Sequence, residues 1–180
     1  MDENNLFHTL PIGAKAPDEI NIIIEISEGS RVKYEFNKQY GCIFVDRFLH
    51  TPIPYPFSYG LIPHTWNDLD HDPLDAILIA SEPVHPGCVV TGRVIGILRV
   101  NDSGERDDKI LCIPNGDPYY ADVKSINDLT PKKREDIEYF LLHYKDLEVG
   151  KTVEVTSWDD QDDAKKFILE CIECYNKKFA

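Results

Sequence analysis

The chain has 180 residues, 42% of them hydrophobic, a formal net charge of −13 and five scattered cysteines. That hydrophobic share argues against a disordered chain, and no apolar run approaches a membrane-spanning length. The charge argues against nucleic acid and anionic membrane as partners, although local cations or metal ions can still gather an anionic substrate into one cleft. The odd, scattered cysteine set fits the reducing cytoplasm better than a disulfide framework. The opening stretch lacks the basic start and apolar centre of a signal peptide. The length fits one domain over residues 1–180.

In chain order, INIIIEI at 20–26 reads as a strand, broken only by Glu25. VKYEF at 32–36 alternates, with Val32, Tyr34 and Phe36 on one face and Lys33 and Glu35 on the other. A strand at 42–45 (CIFV) runs straight into Asp46 and Arg47. Residues 51–63, TPIPYPFSYGLIP, hold four prolines and are expected to form an ordered loop. Further strands are expected at 76–80, 88–99, 109–113 and 152–156, with a turn around Ser103-Gly104.

Thr130-Pro131 is an N-cap and first-turn pair, and Ile137, Phe140, Leu141 and Tyr144 recur at helical spacing, with Gly150 beyond the end. A last helix follows DDQDD and buries Ala164, Phe167, Ile168, Cys171 and Tyr175. Many short strands with helices held late predict an α+β, mostly β chain: a small closed or nearly closed barrel with helices packed outside it.

The stretch LDHDPLDA at 69–76 sets Asp70, Asp72 and Asp75 together immediately before an apolar run. An EF-hand loop is excluded, because its sixth position requires glycine and the sixth position here is Asp75. A plain solvated turn remains open. A bound divalent cation would remove the mutual repulsion of the three carboxylates.

Other charges interrupt or border strands. The candidate carboxylates are Glu25, Glu35, Asp70, Asp72, Asp75, Asp102 and Asp107; the cations are Lys33, Arg47, Lys109, Lys145 and Lys151; the hydroxyls are Tyr55, Tyr59 and Tyr144. Oxygen-rich sets suit hard ions, Mg²⁺ or Mn²⁺, and the cations beside them suit phosphate oxygens. Neither GxxxxGK[ST] nor GxGxxG occurs. Cys171 and Cys174 form a CxxC in mid-helix without a second pair, which favours packing over zinc or redox chemistry. Another metal-dependent phosphohydrolase acting on nucleotides, or a non-catalytic barrel binding nucleic acid, are the competing readings of these residues.

Taken together, IIIEI, VKYEF, IFVDRF, YPFSYG, DHDPLDA, the Asp102–Lys109 pattern D-x4-D-x-K and HYKDLEVGK, in this order and spacing, closely resemble the soluble family I inorganic pyrophosphatases over nearly the whole chain. The resemblance implies Mg²⁺-dependent hydrolysis of inorganic diphosphate to two orthophosphates, on a five-stranded closed barrel of the oligonucleotide-binding (OB) type with flanking helices. It implies Asp70, Asp75, Asp102 and Asp107 as metal ligands, with Glu25 acting through water, and Asp72 as general base towards the attacking water. Lys33, Arg47, Tyr59, Lys109, Tyr144 and Lys145 would hold the phosphates, with Glu35, Tyr55 and Lys151 in support. Mn²⁺ or Zn²⁺ would substitute for Mg²⁺, Ca²⁺ would inhibit, and the chain would form a cytoplasmic homohexamer. His71 departs from the family, which usually carries a small or short polar residue there. Alternation along an extended segment predicts that it points away from the metals; the other reading makes it an extra ligand or hydrogen-bond partner that would shift metal preference.

Overall fold

The computed structural model describes residues 5–179. A short helix α1 (Leu6–Thr9) precedes β1 (Glu19–Ile26); a hairpin of β2 (Val32–Asn37) and β3 (Cys42–Phe48) follows, then β4 (Ser58–Leu61) and β5 (Asp75–Leu78). The long β6 (Val89–Asp102) turns through β7 (Glu105–Arg106) into β8 (Lys109–Pro114). Short 3₁₀ turns at Pro118–Tyr120 and Ile126–Asp128 lead to α2 (Pro131–His143), β9 (Val153–Asp159) and α3 (Gln161–Phe179).

Five strands close into a ring. The order runs β1-β4-β5-β8-β6, and β6 pairs back on β1 through Glu19↔Arg93 to Ile23↔Val89. All these pairings are antiparallel except β5 with β8. Closure removes the free sheet edges that an open sheet would expose. β6 serves four neighbours because it is long and its register slips between Val94 and Gly96.

Both faces of the ring strands are buried. Ile77, Leu111, Ile113, Ile95 and Leu98 join Ile137, Phe140 and Leu141 of α2 in one cluster. Their neighbours Ala76, Leu78, Ile110, Cys112, Val94 and Ile97 join Ala164, Phe167, Ile168 and Cys171 of α3 in another. Double burial explains why AILIA and KILCI read as unbroken apolar runs.

The helix starts follow from their caps. The Thr130 side chain accepts from the Lys133 amide ahead of Pro131. Asp160 Oδ1 accepts from the amides of Asp162 and Asp163, so α3 begins inside DDQDD rather than after it. The stripe expected on α3 is the one buried, Cys171 included.

Two expectations are corrected. The loop expected over 51–63 contains β4, which pairs with both β1 and β5. Its prolines at 52, 54, 56 and 63 all fall outside the strand, so none removes a ladder donor. His71 is not extended: its φ is 60°, in the left-handed region that favours glycine and asparagine. It is nevertheless exposed and lies outside the residues lining the cleft described below.

Candidate active site

One end of the ring carries a cleft lined by Glu25, Lys33, Glu35, Arg47, Tyr55, Tyr59, Asp72, Asp75, Asp102, Asp107, Lys109, Tyr144 and Lys145. Asp70 and Lys151 line an adjoining opening together with Asp72, Asp75, Asp102 and Asp107. The sequence candidates, scattered between residues 25 and 151, therefore meet in one region.

Each position has a local cause. A register slip in β1 between Ile24 and Ile26 falls at Glu25, the one charged side chain within INIIIEI. Glu25 Oε1 accepts from the Phe36 amide at 2.6 Å, tying β1 to the β2–β3 hairpin. Burial, then the neighbouring Asp75, pushes its carboxyl up to about 8.

On the hairpin, Lys33 lies opposite Arg47. Lys33 Nζ donates to Glu35 at 2.6 Å; burial works against its charge, and Glu35 outweighs that, so its pKa is raised. Arg47 Nη1 donates to Asp46 at 2.9 Å, and its Nε faces Glu148 at 3.4 Å without hydrogen-bond geometry.

Asp75 opens β5 and stands beside Lys109, its partner on the parallel strand β8. The Lys109 ammonium, almost fully buried, donates to Asp75 Oδ2 at 2.5 Å and also pairs with Asp107. Burial disfavours that cation, and the two aspartates more than offset it, so its pKa is raised. Tyr59 bonds Asp75 as well, and burial holds its hydroxyl well above the ordinary phenol range. Lys145, in the turn after α2, pairs with Asp102 at the end of β6; burial raises the Asp102 carboxyl, but Lys145 wins and its pKa is lowered. Tyr144 stacks on Phe140 of α2 and lies beneath the Lys145 ammonium.

The DHDPLD loop is built on its own aspartates. Asp70 accepts from the Asp72 amide at 3.0 Å and from Asn67 Nδ2 at 2.9 Å. Burial pushes its carboxyl up to about 6. Asp72 is exposed and pairs with Lys38.

Lys38 lines the cleft, and Asp46 and Glu148 stand beside its Arg47; sequence reasoning missed all three. Lys38 lines the cleft through a pairing 34 positions away, for which the chain carries no local signal. Asp46 pairs with both Lys33 and Arg47, and its place beside Arg47 was the available clue. Glu148 was legible only as part of HYKDLEVGK.

Among the described residues, no three His, Cys, Asp or Glu side chains already stand grouped as a metal cage. Instead, Lys109 and Lys145 are paired with the carboxylates. The donor chemistry nonetheless fits a hard divalent ion. Carboxylates outnumber ammonium and guanidinium groups here, and burial pushes those of Glu25 and Asp70 up, with neighbouring carboxylates adding to it. Acidic oxygens beside buried cations can bind metal and phosphate together.

A family model described as inorganic pyrophosphatase matches residues 22–176. Among curated relatives, the inorganic pyrophosphatase of Synechocystis sp. is 47% identical over 156 residues, covering 87% of this chain and 91% of its own. That of Aquifex pyrophilus is 45% identical over 173 residues, covering 95% and 97%. Among solved structures, the inorganic pyrophosphatase of Thermus thermophilus superposes with a TM-score of 0.89 at 37% identity, covering 93% of this chain and 97% of that one. That of Neisseria gonorrhoeae does so with a TM-score of 0.89 at 36%, covering 96% and 99%. Ring, cleft and relatives agree: the chain belongs to the inorganic pyrophosphatase family.

Proposed function

We propose that this chain hydrolyses inorganic diphosphate to two orthophosphates with Mg²⁺ as its divalent ion. The observation that carries the reading is the buried Lys109 ammonium bonded to Asp75 and Asp107 in a cleft that also holds Lys33, Arg47 and Lys145. Asp70, Asp75, Asp102, Asp107 and Glu25 would hold the metal. A bound divalent ion supplies charge neutralisation at the phosphate oxygens and acidifies water.

The chain's own groups do the rest. Diphosphate repels a nucleophile through its own negative charge, and Lys33, Arg47, Lys109 and Lys145 counter that charge while fixing the anion in place. Tyr59 and Tyr144, both held protonated by burial, donate to phosphate oxygens. Asp72 takes the proton of the attacking water; its exposed position beside the lining cations leaves it reachable. Glu35, Tyr55 and Lys151 support these groups. Mn²⁺ or Zn²⁺ would substitute. Ca²⁺ would inhibit, because it is larger and coordinates less strictly than Mg²⁺.

We place the enzyme in the cytoplasm as a one-domain homohexamer. Among the described residues no helix is long and apolar enough to cross a membrane. Light scattering showing a monomer at working concentration would refute the assembly. The activity is tested by phosphate release with excess Mg²⁺ near neutral pH, from diphosphate and from ATP in parallel. Diphosphate is expected to be far the better substrate; equal or faster release from ATP would refute the reading.

A further inference from the structure

Behind the cleft, on the face of the Asp102–Lys109 turn away from the candidate substrate groups, lies a second ionic cluster. Asp107 and Lys109 line the cleft, and Asp108 between them does not. Alternation along extended backbone sends it the other way. Its side chain is 1% exposed. A carboxylate buried that deeply is costly unless it is both paired and hydrogen-bonded.

Here it is both. Asp108 Oδ2 accepts from Arg99 Nη1 at 2.8 Å and from Arg106 Nε at 2.6 Å, and Oδ1 accepts from the Val100 amide at 3.1 Å. Arg99 reaches on to Asp159 at 2.7 Å, at the end of β9. Both guanidinium groups lie over the Phe167 ring of α3, at 5.5 and 5.2 Å. The cluster thus ties the turn to β6, β9 and α3.

The location gives the cluster its consequence. β7 pairs with β6 through Arg106, β8 begins at Lys109, and residues 107 and 108 fall in the gap between them. In that gap the Asp107 amide donates to the Val100 carbonyl at 2.9 Å while the Val100 amide donates to Asp108. A side chain thereby stands in for a ladder acceptor, and the directions of its two neighbours are fixed with it.

We propose that Asp108 is a positioning residue: its carboxylate, clamped by Arg99, Arg106 and the Val100 amide, aims Asp107 and Lys109 into the cleft. The proposal rests on the diphosphatase reading for the roles of those two neighbours, but the clamp itself does not.

The test uses the full chain, with parent and variants assayed at one common temperature well below the lowest melting temperature of the set, so that only folded protein is read. Asp108→Ala is expected to raise the diphosphate KM and lower kcat, with kcat/KM down about 10-fold or more, within the ~10²-fold that a 1 Å misplacement can cost. Asp108→Asn keeps an acceptor for Val100 and should recover part of that loss. Arg106→Gln, at the half-exposed end of the clamp, should move KM and kcat the same way by less. Calorimetric Mn²⁺ titration without substrate should show weaker binding in Asp108→Ala. Parental KM, kcat and Mn²⁺ affinity in a variant that merely melts earlier would overturn the proposal. If Asp108→Ala does not fold, parental kinetics in both Asp108→Asn and Arg106→Gln would overturn it. Absence of diphosphate hydrolysis by the parent would instead refute the activity reading, and the Mn²⁺ titration would still decide the clamp.

Discussion

At the scale of single residues, the DHDPLD loop holds two of its aspartates in different settings, which supports the separate roles proposed for them. Asp75 is bonded to Lys109 and to Tyr59, whereas Asp72 is exposed at the rim with Lys38. Asp72→Asn keeps shape and removes a proton acceptor, so kcat should fall by about 10²–10⁴-fold while Mg²⁺ affinity changes little. In the proposed site Asp75→Asn removes charge where the metal would meet Lys109, so Mg²⁺ affinity and rate should fall together, with excess Mg²⁺ restoring part of the activity. Rate and Mg²⁺ titrations of both variants check this, and equal weakening of metal binding would make Asp72 a ligand. Residue types were legible because charges within or beside apolar strands recur in the order and spacing of the family motifs, although each alone reads as an ordinary solvent-facing strand side. Lys38, Asp46 and Glu148 were not, because their meaning is a partner supplied by the fold: Lys38 meets Asp72 only once the hairpin folds over the DHDPLD loop. The reasoning for His71 also failed at this scale, since a positive φ leaves no mark on alternation.

Among elements, strands buried on both faces and capped helices announced themselves, while β4 hid among prolines. Its Gly60 was the missing signal. A Cβ there would overlap the Ile23 carbonyl oxygen and stand 2.8 Å from the Ile23 carbonyl carbon, so β1 and β4 approach this closely only over glycine. Gly60→Ala must push two backbones apart. A cost of about 1–3 kcal/mol or more is expected. At about 2–4 °C per kcal/mol for a chain of this size, thermal unfolding should come roughly 5 °C or more earlier. An unchanged melting temperature would contradict that packing.

The Arg99–Asp159 link between β6 and β9 carries a pH signature. Arg99 holds the Asp159 carboxyl below its ordinary value, and burial opposes this only in part. A depressed folded pKa gives stability that is present above the unfolded carboxylate range, about pH 4, and lost as pH falls through the folded value. Asp159→Asn should therefore be less stable than the parent at pH 7, by about 1 kcal/mol or less for a partly exposed pair. The gap should close in acid, as pH falls through the lowered folded value. Denaturant unfolding at pH 7 and in acid measures it; a gap that widens in acid would refute the sign.

Over the whole molecule, a closed or nearly closed barrel was legible from the order of strands and helices, and its five-stranded form was implied by resemblance. Closure depends on β6 bending to meet β1 and β8 at once; Gly96, at its register slip, is the local mark of that bend but does not say which strands meet there. The net charge of −13 likewise misdescribes the site taken alone, because Lys33, Arg47, Lys109 and Lys145 are gathered at one end of the ring. An acidic enzyme can thus hold an acidic substrate, provided a metal balances the remaining carboxylates.

Metal-stripped protein, given diphosphate and then titrated with Mg²⁺, tests that claim most directly. The account predicts no phosphate release in chelator, then release of two phosphates per diphosphate as Mg²⁺ is added. Equal release in chelator, or none with excess Mg²⁺ in folded protein, would contradict it.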